Sequence, residues 1–280
     1  MRVSSLTYEI MRQRLIGAAE SDSRIVGLLR DGSHSSGRGD EWSDVDVSIF
    51  IRDADFDAFW SGWKSWATQF GDLLLGYISW VGHPWAVFDA DPVPLRVDFD
   101  LHRESTVESV RSWPVNLTSV DTAVWYDVTD GRLRTAVEPL VGKILAPADP
   151  HADYECLCGD FWYELLYAYS HVKRGELWLA RQAFHCRALE PLLRLLRFEA
   201  GAFEHWQASP AADVEQVLSS DRLGQLYRCI PGLDADGLMM ALRNADQLGR
   251  EVCQAIAAQR VWDWPEALAD RVAAVLKSDE

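Results

Sequence analysis

Asp44 and Asp46 stand two apart in a stretch, Ser43 to Ile51, where apolar and polar residues alternate. A period of two is that of a β-strand, so Val45, Val47, Ile49 and Ile51 face one way and both carboxylates face the other. Two carboxylates held so close suit a hard divalent cation, because without one their repulsion raises one pKa. The pair alone carries little. With 43 acidic residues among 280, acid-x-acid arises about six or seven times by chance. The preceding residues change the odds. A short apolar run over 24–30 ends at Asp31-Gly32-Ser33, and ten residues separate Ser33 from Asp44. This chain's own residue frequencies give about 0.03 expected occurrences of that combination. Gly32 permits a sharp turn and close approach to an anion. Ser33 can offer its amide and its hydroxyl to a phosphate oxygen, most of all where a helix begins. A phosphate cradle one short helix ahead of a metal-binding acid pair describes a nucleotide site.

The elements that must position these groups are legible by period. Residues 6–19 have helical spacing, 24–30 read as a buried strand, and 43–51 is the clearest strand. Residues 56–70 form a helix whose stripe of Phe59, Trp60, Trp63 and Trp66 reads as core packing. Strands follow over 73–80, 85–89 and 95–101. Near Pro147-Ala148-Asp149-Pro150 the texture changes, and helices are expected over 153–174, 177–198, 213–229, 237–260 and 264–277. Pro191 falls inside the second of these as a kink or restart. The expected plan is α+β: a mixed sheet with flanking helices over 1–150, then a helical bundle over 151–280.

Composition bounds the function. Forty-eight per cent of residues are hydrophobic and 25% charged, which fits a globular protein and excludes a disordered one. A net charge of −16, with no basic stripe, argues against nucleic acid and anionic membranes as partners and agrees with a cationic small substrate. Five cysteines without repeated spacing give neither a disulfide framework nor a zinc site. No stretch has the apolar length of a membrane span or a signal peptide, so the cytoplasm is the expected compartment.

The run Gly32-Ser33-His34-Ser35-Ser36-Gly37-Arg38-Gly39-Asp40-Glu41-Trp42-Ser43-Asp44-Val45-Asp46 resembles the signature of the polymerase-beta-like nucleotidyltransferase superfamily. Its form is similar to that of lincosamide nucleotidyltransferases and, more distantly, aminoglycoside adenylyltransferases. The likeness extends over about residues 20–210, by motif at first and by texture beyond. It implies a third carboxylate on a neighbouring strand, and Arg96-Val97-Asp98-Phe99-Asp100-Leu101 offers two on one face. Asp98 matches the family position and Asp100 is the reserve, so which of them is the base stays open.

The resemblance implies transfer of a nucleoside monophosphate, with ATP as the expected co-substrate. Asp44 and Asp46 would hold two Mg²⁺ ions, and Asp98 would share the second and act as general base. Gly32, Ser33 and Ser43 would contact phosphate, although Ser43 can equally cap its own turn. Arg38 and Lys173 would neutralise the triphosphate tail. Asp100, Tyr163 and Glu164 are candidates for the acceptor pocket. His102 and His171 read as ordinary hydrogen-bonding histidines. The acceptor would be a hydroxyl of a cationic small molecule, a lincosamide or an aminoglycoside, and the family leaves room for a homodimer. Two alternatives remain at this stage: the same chemistry on a protein acceptor, and a non-catalytic nucleotide-binding module.

Overall fold

The structure is a computed structural model that describes residues 6–30, 40, 42–206 and 209–277. The chain divides into two compact units, Met1–Lys143 and Ile144–Glu280.

The first unit opens with α1 (Tyr8–Ser21), whose first turn is capped by the Thr7 hydroxyl accepting from the Ile10 amide. There follow β1 (Ile25–Arg30), β2 (Val45–Ile51), α2 (Phe56–Ala67) with a 3₁₀ turn, Thr68–Phe70, then β3 (Leu73–Ile78), β4 (Pro84–Phe88) and β5 (Leu95–Arg103). The six-stranded sheet has the order β3-β4-β5-β2-β1-β6, with β6 at Val124–Asp127. β2 and β5 run parallel, and the other neighbours are antiparallel.

Alternation in the sequence becomes two faces of this sheet. Val45, Val47, Ile49, Ala86, Phe88, Val97 and Phe99 are buried on one face, under Met11 and Leu15 of α1 and Phe59 and Trp63 of α2. Trp66 meets Phe99 edge-on at 5.8 Å, so the aromatic stripe of α2 serves the core. Gly76 lets that helix approach: a Cβ there would lie 3.1 Å from the Trp63 ring.

On the other face, Val26, Leu29 and Phe50 pack against a segment whose elements the periodicity does not reveal. It comprises a 3₁₀ run, Glu104–Ser112, then α3 (Val120–Ala123), β6, α4 (Arg132–Val137) and a second 3₁₀ turn, Glu138–Leu140. These pieces are too short to show a period, and pairing with β1 is what makes 124–127 a strand.

The second unit is helical: α5 (Pro150–Lys173), α6 (Leu177–Ala183), a π-helical turn Phe184–Ala188, α7 (Leu189–Ala200), α8 (Val214–Val217), α9 (Ser220–Tyr227), α10 (Ala235–Arg260) and α11 (Glu266–Lys277). Asp149 caps α5 by accepting from the Ala152 amide, with Pro150 next in line. The long helices α5 and α10 pack together where Gly249 leaves room for the Phe161 ring; a Cβ there would lie 2.2 Å from it. Across the same seam the Trp162 indole donates to Asp246 at 3.0 Å.

Two expected helices are interrupted. Pro191 has no N–H to give to the Arg187 carbonyl, and the turn before it widens into the π segment. The expected helix over 213–229 is two short ones, because Leu218 is extended and the Ser219 hydroxyl starts α9 afresh, accepting from the Arg222 amide. No helix among the described residues is long and apolar enough to cross a membrane.

Candidate active site

The acids lie on the face of the first unit's sheet that also carries Phe50, opposite the face covered by α1 and α2. In the parallel pairing of β2 with β5, Asp46 lies opposite Asp98 and Ser48 opposite Asp100. Register partners point to the same side, so the Asp46 and Asp98 carboxylates stand one strand spacing apart, about 4.8 Å between backbones. β4 continues the rung: Trp85 lies opposite Asp98, and Tyr77 of β3 lies opposite Trp85. Reading across four strands, the rung is Tyr77, Trp85, Asp98, Asp46.

A flanking rung joins Asp44, just ahead of β2, to Arg96, whose Nη2 is 2.9 Å from Asp44 Oδ2. Burial pushes the Asp98 carboxyl up to about 6, and the Asp44 charge pushes the same way, against the smaller opposing effects of Arg96 and His83. The three carboxylates singled out by sequence therefore share one face, two of them in register and the third close enough to be felt.

On the rung beyond, Asp100 sits between two histidines. His83 Nδ1 is 2.7 Å from Asp100 Oδ1, and His102 Nε2 is 2.8 Å from Asp100 Oδ2. These are short contacts without hydrogen-bond alignment. Asp100 Oδ1, His102 Nε2 and the Ser48 hydroxyl are all buried atoms with no aligned partner. His102 also stacks on Phe50 with ring centroids 5.2 Å apart.

Ser43 is engaged within its own turn: its hydroxyl donates to Asp40 Oδ1 at 3.0 Å and accepts from the Asp40 amide at 3.1 Å. The turn-capping alternative is the one this geometry displays. Gly32, Ser33 and Arg38 lie outside the described residues.

The remaining candidates belong to the second unit. Lys173 is exposed in the last turn of α5. Tyr163 is 69% exposed on the same helix. Glu164 lines a cavity of about 510 Å³, with Asp153 and Asp160 from α5, Arg187 and Glu190 beyond it, and Trp206. Arg187 Nη1 approaches Glu164 Oε2 to 3.8 Å. Sequence reasoning passed over Asp153, Asp160 and Glu190. The signal was there for two of them: Asp153, Asp160 and Glu164 are spaced seven and four apart, which is one face of a helix.

The donor set suits a hard divalent cation, since it is all carboxylate oxygen and its members crowd one another's charge. Among the described residues no group of three or more His, Cys, Asp or Glu side chains forms a ready cation cage. An open set of carboxylates is what a cation that also takes phosphate oxygens uses.

Residues 96–278 match the family described as streptomycin adenylyltransferase, more than half of the chain and including Asp98. That match starts after Asp44 and Asp46. Among solved structures, an aminoglycoside 6-adenyltransferase from Bacillus subtilis is similar over 97% of each chain, at 12% identity and a TM-score of 0.43. A nucleotidyltransferase-like protein from Exiguobacterium sibiricum is similar over 97% of this chain and 88% of its own, at 12% identity and a TM-score of 0.36. No curated protein matches the sequence.

Proposed function

From the premise that the chain belongs to the streptomycin adenylyltransferase family, and is an adenylyltransferase, we propose that it transfers adenylate from ATP to a hydroxyl of an aminoglycoside-type antibiotic. The observation that carries the reading within the fold is the side-by-side register of Asp46 and Asp98 with Asp44 beside them.

In this reading Asp44, Asp46 and Asp98 supply oxygen ligands for two Mg²⁺ ions, which when bound neutralise triphosphate charge and lower the pKa of the attacking hydroxyl. Asp98 accepts the proton of that hydroxyl. The acceptor oxygen forms a bond to the α-phosphorus while the bond from that phosphorus to the α–β bridging oxygen breaks, and pyrophosphate leaves. Burial and the Asp44 charge raise this carboxyl in the metal-free fold, the direction that makes it a better base. Gly32, Ser33 and Arg38 cradle the phosphates. Asp100, on the rung next to Asp98, favours cationic acceptors, an aminoglycoside before a lincosamide. The reading requires a compartment that holds ATP, which the cytoplasm is.

The test is direct. Purified protein with Mg-ATP and a panel containing streptomycin, other aminoglycosides and a lincosamide is expected to release pyrophosphate and to add one AMP to an acceptor by mass. Asp46→Asn is expected to stop both with its melting temperature kept. A panel without any mass gain overturns the acceptor class.

A further inference from the structure

The acid row does not run to the edge of the sheet. On its side away from β2 the same rung becomes aromatic: Trp85 directly beside Asp98, then Tyr77 beside Trp85. Their rings meet edge-on, 88° apart in plane with centroids at 6.1 Å. Alternation explains why they face this way. Ala86 and Phe88 are buried on the core face, so Trp85 and Val87 project with the acids. Trp85 is partly buried and Tyr77 is 43% exposed, so the indole is held by a neighbour yet presents a surface to solvent. The apolar cluster on this face gathers around Val26, Leu29 and Phe50, and neither Trp85 nor Tyr77 belongs to it or to the core on the opposite face, so core packing does not account for an aromatic pair beside a carboxylate.

We infer that Trp85, braced by Tyr77, is the platform on which the saturated ring of the acceptor packs, with its reacting hydroxyl held over Asp98. The inference rests on the adenylyl-transfer reading and adds the residues that position its second substrate.

Three observations support it. A single residue, Asp31, separates Gly32-Ser33 from Arg30, the last residue of β1, and β1 flanks β2 on the side away from β5. The phosphate end of the nucleotide is therefore expected on the β1 side of the acids, which leaves the β5–β4–β3 side to the acceptor. Distance agrees: Trp85 and Asp98 are one strand apart, about 5 Å, which is the width of a six-membered ring, so a ring lying on the indole presents its edge hydroxyls to that carboxylate. Charge agrees as well. An amino- or guanidino-cyclitol has C–H faces and cationic substituents, and the rung offers an aromatic surface with Asp98 and Asp100 at its border.

The experiment measures steady-state kinetics with streptomycin and ATP for wild type, Trp85→Ala, Trp85→Phe and Tyr77→Ala, with a melting curve for each. Trp85→Ala is expected to raise KM for streptomycin by about tenfold or more, and Tyr77→Ala by less. Trp85→Phe recovers most of the loss, and KM for ATP stays within about twofold throughout. A rise in KM for ATP with that for streptomycin unchanged overturns the inference and makes the pair a nucleobase platform. Unchanged constants for both substrates overturn it too, and in either case the adenylyl-transfer reading stands. If the wild type modifies nothing, that reading fails instead. Calorimetric titration of wild type and Trp85→Ala with streptomycin then decides the platform: weaker binding by the variant supports it, and equal or absent binding refutes it.

Discussion

Arg96 and Asp44 are joined at 2.9 Å on the rung beside Asp46 and Asp98, so the chain supplies its own cation to the acid row. Arg96 is 64% exposed in its side chain, and such a pair adds at most about 1 kcal/mol to stability. Its effect is on the charge of the site. Arg96→Gln removes the competitor for Asp44 and leaves the row more negative. The Mg²⁺ concentration for half-maximal transfer is expected to fall several-fold, with the melting temperature almost unmoved. A Mg²⁺ titration of the adenylyl-transfer rate checks this, and a higher Mg²⁺ requirement refutes it.

Asp98 makes an opposite demand on the metal-free fold. Its carboxyl is raised to about 6, first by burial and then by Asp44. A carboxyl raised in the folded state binds its proton more tightly there than in the unfolded chain. Its penalty is therefore absent below about pH 4 and complete above about pH 6. Asp98→Asn is expected to abolish transfer yet raise stability in EDTA at pH 8 by about 1 kcal/mol, allowing for solvent screening at a half-buried site. The gain should vanish at pH 4. Urea unfolding of both proteins at the two pH values measures it, and a destabilised variant at pH 8 contradicts the electrostatics.

What the sequence yields depends on the range of the interaction that makes each element. Strand β2 and the long helices α5 and α10 are periodic over their own length, so their faces can be read residue by residue. That Asp98 belongs beside Asp46 follows from residue types only through family likeness, because the pairing joins strands separated by α2, β3 and β4. Placing Trp85 on the same rung needs two registers at once. The elements over 104–140 are short and owe their form to contacts with β1 and Phe50, which a local pattern does not encode. Tyr163 looked as eligible for a pocket as Glu164; only the packed helices separate an open surface from a cavity wall.

Trp162 and Asp246 set a second pH dependence, in the helical unit. The indole donates to a buried carboxyl whose pKa is raised by burial, and that hydrogen bond opposes the rise. Trp162→Phe removes the donor and costs about 1–3 kcal/mol when the carboxylate is charged. Because burial already raises the folded pKa and losing the donor raises it further, the loss should be greater at pH 8 than at about pH 3, below the ordinary carboxylate range, where the carboxyl is protonated whatever its shift. Equal losses at the two pH values contradict this.

Arg197 is a buried arginine whose guanidinium replaces a missing secondary structure. From α7 it donates to the carbonyls of Pro210 and Glu204, each at 2.7 Å, of Ala202 at 3.3 Å, and of Ala212. Arg197→Met keeps much of the volume and strands those acceptors, at a cost of about 3 kcal/mol. Proteolysis is expected to cut near 201–213 in the variant before it cuts the wild type. Arg197→Lys is expected to recover little, since one ammonium cannot serve carbonyls arranged around a planar fork.

Cys158 and Cys253 lie with sulfurs 3.3 Å apart in the α5–α10 seam, both buried. The contact with Cys158 and then burial push the Cys253 thiol far up, so neither the thiolate nor access is available to a reagent. Cys229 is pushed up to about 12 by burial, against a smaller opposing effect of the Arg228 charge. Cys156 and Cys186 are exposed, and the Asp160 charge raises Cys156. A thiol reagent at pH 8 is therefore expected to label two of the five cysteines in the native protein, Cys186 ahead of Cys156. The other three should react only when the helical unit opens, so their labelling rate in urea reports its unfolding. Rapid native labelling of Cys158 or Cys253 would show that the α5–α10 seam is not closed.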